Sequence, residues 1–211
     1  MKKVFLCLIL VGMFSLGACG SDSSSQSDNN SSNTDTEQKE SKSTSSLLKD
    51  NKDFKSLAIN NGADEAKISA QKDYATSWSD SSWSGVNIAI DKVSVVELEN
   101  YKDYSDNEYP GFVIVHYVID NSEKDINIYP EQALMSTNTG EQSEGKIDMK
   151  GFAGEVMRGT KSGGYAAYPL SNIDGVDSIT QIRLKFHADY STDDYNDENA
   201  HHEYDATVDL K

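Results

Sequence analysis

Cysteine is almost absent. The 211 residues hold only Cys7 and Cys19, both near the start, so no disulfide can staple the long remainder and its fold must rest on a hydrophobic core. Basic residues are scarce too, with 19 Lys and Arg against 35 Asp and Glu. That balance excludes nucleic acid as a partner and repels anionic lipid and wall polymers. The longest apolar run, from Val4 to Leu16, is 13 residues, short of the roughly 20 that a membrane-spanning helix needs. No His-Glu-x-x-His, Gly-x-Ser-x-Gly, phosphate-binding glycine loop or cysteine cluster occurs. No cofactor is implied.

What is present begins with an address. Lys2 and Lys3 precede the apolar run, and small residues Gly17 and Ala18 follow it, the three parts of a secretory signal. Leu16-Gly17-Ala18-Cys19 resembles the lipobox of bacterial lipoproteins. The resemblance implies cleavage after residue 18 and acylation of Cys19, with the acyl chains holding the protein to the outer face of a membrane. Loss of Lys2 and Lys3 leaves a mature chain of charge about −18.

Residues 19–52 read as a lipidated cysteine followed by a tether. From Gly20 to about Ser46 the chain is nearly all Ser, Asp, Asn, Thr, Gln, Glu and Lys, with nothing to bury against its ordering entropy. A flexible coil of about 27 residues spans on the order of 30 Å. Such tethers are common in Gram-positive lipoproteins.

Residues 53–82 read as an extension containing a short helix, placed over 63–75 by its composition, by Asp64 near a cap position and by a thin stripe of Ala66, Ala70 and Tyr74. Residues 83–211 read as all-β. Val86, Ile88 and Ile90 alternate, then Val93 and Val95 continue one position out of phase, which predicts a bulge at Asp91-Lys92. Phe112 to Ile119 is apolar on both faces and predicts a central strand. Pro130 interrupts an extended stretch and belongs at an edge or crossing point, and Gly140 marks a hairpin turn. At the end, Ile182, Leu184, Phe186, Ala188 and Tyr190 alternate, as do Tyr204, Ala206, Val208 and Leu210, leaving Arg183, Lys185, Asp205 and Asp209 to face water and pair across strands. About seven strands without alternating helices predict an immunoglobulin-like antiparallel β-sandwich.

The stretch from Gly111 to Ile126, with Asn121 at a turn, followed by Thr139-Gly140-Glu141, Gly154-Glu155-Val156 and the strand around Ile182, resembles the telokin-like domains of Gram-positive surface lipoproteins. That resemblance implies an immunoglobulin-type sandwich and carries no catalytic residues. The acidic stretch 191–201 departs from the pattern.

Three surfaces stand out. The loop Glu99 to Gly111 holds Tyr101, Tyr104 and Tyr109 among Ser105, Asn107 and Pro110, a paratope-like composition that makes contact area at low entropy cost. It is the preferred binding loop, for a protein or another envelope component. The segment 189–205 offers Asp194, Asn196, Glu198 and Asp205 at calcium-loop-like spacing, but Asn199 stands where the turn glycine belongs. A Ca²⁺-dependent binding protein is therefore the alternative reading. His201 and His202 are adjacent and would point to opposite faces of a strand, an awkward zinc pair. Trp78 and Trp83, set among serines, read as core anchors ahead of sugar-stacking platforms.

An envelope hydrolase is the third reading. Ser46 with Lys49, Ser105-Asp106-Asn107 and Lys161-Ser162-Gly163 fall in the order of serine acyl-transfer motifs. They are rejected, because that serine must start a rigid helix and Ser46 ends the tether.

Overall fold

A computed structural model describes residues 45–83, 85–146, 149 and 151–211. The leader, Cys19 and the tether up to residue 44 lie outside the described residues.

The described chain is all-β, in two antiparallel sheets. Its strands are β1 (Ser46–Leu47), β2 (Lys67–Asp80), β3 (Val86–Glu99), β4 (Gly111–Asn121), β5 (Ile126–Ile128), β6 (Leu134–Thr137), β7 (Gln142–Glu144), β8 (Gly154–Val156), β9 (Thr160–Leu170), β10 (Gln181–Asp189) and β11 (His201–Asp209). The first sheet runs β1-β2-β3-β4-β9; the second runs β7-β6-β10-β5-β8, with β11 also paired to β10. The described strands thus exceed the expected seven. Pro130 divides the expected extended stretch into β5 and β6, and the short strands β1 and β8, two and three residues long, display no period.

The helix expected over 63–75 is instead a turn leading into β2 and the strand's first nine residues. Its stripe of Ala66, Ala70 and Tyr74 is spaced by four, which fits a strand's period of two as well as a helix's 3.6, and pairing with β3 decides between them. The one α-helix among the described residues, α1 (Ser56–Ile59), lies earlier in the same extension. Because β2 is integral to the first sheet, the folded body starts well ahead of Trp83. Residues 46–52, assigned to the tether, belong to it as well: Leu47 pairs with Lys67 and Leu48 is fully buried.

The bulge stands where the phase change put it. Pairing of β3 with β4 steps from Ile90 opposite Tyr117 to Lys92 opposite His116, leaving Asp91 over. On one side of the sheet, Val86, Ile88, Ile90, Val93 and Val95 meet Ile182, Leu184, Phe186 and Val208 of the second sheet in the main core. The other side explains why β4 is apolar on both faces. Phe112 and Ile114 point away from the main core into a second one, formed with Leu48, Phe54, Leu57 and Ala58 of the N-terminal segment. Burying Leu48, Phe54 and Leu57 completely contributes about 5 to 9 kcal/mol before ordering entropy is deducted.

Pro130 sits in a single 3-10 turn between β5 and β6, which both pair with β10, so it marks a crossing point. Arg183 and Asp205, and Lys185 and Glu203, pair across the β10–β11 hairpin. Among the described residues no helix is long and apolar enough to cross a membrane.

Candidate functional site

The loop between β3 and β4 lies at one end of the first sheet, where Glu97 pairs with Gly111. The acidic hairpin between β10 and β11 lies at the other end, beside Trp83. β3 spans 14 residues, so the two are separated by roughly 40 Å. No single site uses both.

The tyrosines of the first loop divide. Tyr101 is 2% exposed and belongs to the second core, where its ring meets Phe112 edge-on at 5.0 Å. It is an anchor and offers no contact surface, because the loop's first residue after Asn100 must cover the end of that core. Tyr109 is half-buried, 5.6 Å from Phe112 and 6.1 Å from Tyr101. Tyr104 alone faces outward, 78% exposed. One edge of its ring rests on Gly62, where a Cβ would come within 2.5 Å of it.

Asp103 holds the loop in shape. Its Oδ1 accepts from the backbone N–H groups of Ser105 (2.9 Å) and Asn107 (3.0 Å), and its Oδ2 accepts from Asn107 Nδ2 (3.0 Å) and Lys146 Nζ (2.9 Å). Burial alone would raise the Asp103 pKa, but these donors outweigh it and hold the carboxyl well below the ordinary carboxylate range. Lys146 also lies 4.8 Å from the Tyr109 ring centroid. Asn100 and Asp106 take positive φ, 60° and 59°, a conformation that Asn and Asp tolerate best among residues other than glycine.

Beside the loop is a recess of about 340 Å³ between Leu98 and Pro110, with Asn100, Lys102, Glu108 and Tyr109 around it. Lys102 and Glu108 are joined at 3.0 Å. Sequence reasoning singled out the tyrosines and missed Asn100, Lys102 and Glu108. An Asn directly after a strand end was the available signal.

The four calcium candidates are not gathered into a ligand set. Asp194 Oδ1 accepts the Asn196 N–H at 2.9 Å, a local turn. Asp205 lies on β11, gripped by Arg183 with Nε at 2.7 Å from Oδ1. That guanidinium holds the Asp205 carboxyl below its ordinary range. Among the described residues no group of three or more His, Cys, Asp or Glu is placed to hold a metal ion. His202 lies flat against Trp83, 5.8 Å between ring centroids, while His201 is exposed.

Trp83 is the core anchor expected of it: 4% exposed, stacked on Tyr190 at 5.7 Å, with Nε1 donating to the Asn199 carbonyl at 2.9 Å. It fastens the base of the acidic hairpin. Tyr195, at the tip of that hairpin, is fully exposed.

A third cluster escaped the sequence reading. The bulge turns Lys92 toward Asp53 (3.1 Å) and Asp73 (3.5 Å), and His116 Nδ1 lies 2.6 Å from Asp91 Oδ1. Burial pushes the Lys92 ammonium down, but Asp53 and Asp73 outweigh it and raise its pKa. The Tyr165 ring packs 4.6 Å from His116. Lys92 is shared between two carboxylates, and no described hydroxyl is bonded to His116. Among the described residues the one Ser–His hydrogen bond, Ser82 Oγ to His202 Nε2 at 3.2 Å, has its carboxylate, Asp80, on the serine at 2.6 Å instead of on the histidine. This order does not make an acid, base and nucleophile relay.

Ser46 lies in β1 and not at a helix start, and Lys161 pairs with Asp120 at the other end of the sheet from Ser105. The acyl-transfer triplets are therefore scattered.

No family model matches the chain, and no curated protein matches it. Similar solved structures include two of low identity. One is a functionally unknown protein from Listeria monocytogenes EGD-e, 14% identical, covering 74% of this chain and 93% of that one, with a TM-score of 0.49. The other is the yjhA protein from Bacillus subtilis, 16% identical, covering 63% and 97%, with a TM-score of 0.39.

Proposed function

We propose that the chain is an exported lipoprotein, held to a membrane by lipid on Cys19, whose folded body is a non-enzymatic binding module for a protein or another component of the cell envelope. The binding reading rests on one observation. Tyr104 stands 78% exposed on a loop fixed by Asp103 and placed beside a recess. A rigid aromatic side chain in a pre-ordered loop loses little entropy on contact, so more of its interaction energy appears as affinity.

The finer fold reading accompanies it. We propose an immunoglobulin-type sandwich related to the telokin-like domains of Gram-positive surface lipoproteins. Two antiparallel sheets around a shared core support the sandwich. The relation concerns architecture and not the strand order of constant domains, because β2, β3 and β4 follow one another in one sheet.

Two measurements test the function. Cys19→Ser should move the protein from the membrane pellet to the medium; an unchanged distribution would sink the anchor. After mild formaldehyde fixation of cells, Tyr104→Ala should lose the envelope component that the natural chain and Tyr195→Ala both retain. Equal retention by all three would remove the loop from the account.

A further inference from the structure

We infer that the outer edge of β11 takes an extended segment of a partner protein as an added antiparallel strand, and that this segment alternates apolar with basic residues. The surface is separate from the tyrosine loop and does not depend on it.

The hydrogen bonds at the two ends of the β10–β11 ladder show which backbone groups are open. The Tyr190 N–H donates to the Ala200 carbonyl at 3.0 Å, and the Leu210 N–H to the Thr180 carbonyl at 2.8 Å. Both pairs fit the register that sets Ile182 opposite Val208 and Phe186 opposite Tyr204. In an antiparallel ladder, residues that exchange bonds with the neighbouring strand alternate with residues whose N–H and C=O face the other way. His202, Tyr204, Ala206 and Val208 therefore bond to β10, while His201, Glu203, Asp205, Thr207 and Asp209 present theirs outward. Among the described residues no strand pairs with that side, and no hydrogen bond reaches those backbone groups. β11 runs nine residues without a register shift, so the open row is regular, the form that strand addition requires. The outer edge of β2 compares poorly. Two register shifts interrupt that strand, and its Lys72 and Tyr74 are tied to Asp177 and Val176.

Charge selects the occupant. The five residues with outward backbone groups also carry their side chains on the solvent face. The charged ones, Glu203, Asp205 and Asp209, are all carboxylates. Their cations lie away from the open edge, Lys185 and Arg183 on β10 and Lys211 at the chain end, and the three acidic side chains stay 67%, 38% and 52% exposed. A second copy meets the wrong sign. Antiparallel pairing of β11 with itself, centred on Asp205, sets that carboxylate against its own copy; centring on Tyr204 or Ala206 sets Glu203 opposite Asp205 or Asp209. Like charges directly opposite destabilise a strand pair, and opposite charges stabilise it, so basic residues belong at these positions. The intervening side chains of the added strand fall beside Tyr204, Ala206 and Val208 of the main core. β2 approaches β11 on that side, and its Trp78 and Ala70, partly buried against the same core, form an apolar lip for them.

The test titrates the full chain, in non-ionic detergent at low salt, with capped seven-residue peptides and reads binding by calorimetry. The first peptide alternates Lys and Val, with Lys at both ends; a second has Glu in place of each Lys. In the inferred pairing the lysine N–H groups face β11 and the valine N–H groups face away, so two further peptides are N-methylated at every lysine or at every valine. Saturable binding of the Lys-Val peptide is expected, retained on valine methylation. The Glu peptide and the lysine-methylated peptide should each bind at least about ten-fold more weakly. Thr207→Pro removes one outward donor and leaves the bonds to β10 in place; it should weaken the Lys-Val peptide by about ten-fold in a chain that still unfolds cooperatively. Glu203→Gln combined with Asp209→Asn should weaken it by about five-fold, and Tyr104→Ala should leave it unchanged. Equal affinity for the two methylated peptides, equal affinity for the Lys and Glu peptides, or no saturation at millimolar peptide would each overturn the inference. Loss of binding on Tyr104→Ala would place the peptide on the tyrosine loop and overturn it as well.

Discussion

Tyr117 donates its phenolic proton to Tyr168, 2.9 Å away in the main core. The direction follows from proton counting: Tyr168 uses its only O–H on the Pro130 carbonyl at 2.7 Å, so it can only accept from Tyr117. Both side chains are fully buried, and burial pushes both pKa values up. The relay ties β4 and β9 of one sheet to the crossing turn that leads into β6 of the other.

The order of that relay predicts unequal costs. Tyr117→Phe leaves Tyr168 bonded to Pro130 and should cost about 1 kcal/mol. Tyr168→Phe strands both the Pro130 carbonyl and the Tyr117 hydroxyl and should cost about 2 to 3 kcal/mol. The double variant should be less destabilised than the sum of the two. Urea unfolding of the three variants checks this, and equal single costs would reverse the assigned direction.

Asp103 makes stability pH-dependent on the acid side. A carboxyl whose native pKa is depressed stabilises the fold at every pH above its unfolded value, about 3.9, and loses that contribution as the pH falls toward the native value. Asp103→Asn should therefore cost about 2 kcal/mol at neutral pH, largely by leaving the Lys146 ammonium unpaired. The gap from the natural chain should narrow below about pH 4. Melting curves across pH measure it; a gap constant with pH would mean that the carboxylate's charge plays no part.

Trp83 is the pin of the acidic hairpin. Trp83→Phe keeps an aromatic face for Tyr190 and His202 but leaves the Asn199 carbonyl without its donor. Protease cleavage within 190–200 should accelerate while the β10–β11 strands stay protected. Trp83→Ala, which also opens a cavity, should cost about 3 to 5 kcal/mol in global stability. Cleavage unchanged in both variants would show that the hairpin is held by its own turns alone.

Calcium should leave the melting temperature where it is. Binding at Asp194, Asn196, Glu198 and Asp205 would require Arg183 to release Asp205 and the hairpin to refold. A ligand at about 100 times its dissociation constant would stabilise by about 2.7 kcal/mol. A shift of that size with millimolar Ca²⁺, abolished by Asp194→Asn, would restore the cation-dependent reading.

The β10–β11 hairpin and the bulge in β3 were legible because long strands repeat their signal: five alternating apolar residues resist coincidence, and a phase change in such a run has a single physical meaning. β2 was not. Its Ser, Gln, Lys, Asp and Thr positions carry no alternation, since only the two residues of β1 cover its outer side and much of its surface meets water, and its apolar spacing of four is shared by helix and strand. The second core was also hidden, because the Leu47-Leu48 pair and Phe54 are set in polar sequence, and Leu48 and Phe54 become a cluster only when folded against Phe112 and Ile114. Within the tyrosine loop, composition pointed to the right segment but not to the right residue. A loop has no period, so nothing in the order Tyr101, Tyr104, Tyr109 tells the buried ring from the exposed one. The Lys92–His116 cluster joins residues far apart in the chain, and only the pairing of strands brings them together.

The claim that the β3–β4 loop is the contact surface is tested most directly by a photo-reactive phenylalanine analogue placed at residue 104, and separately at residue 195, in cells displaying the full chain. Both positions are exposed tyrosines, at opposite ends of the fold. Illumination should yield a discrete covalent adduct from position 104 and none from position 195. An adduct from 195 alone would move the binding surface to the acidic hairpin and contradict the account.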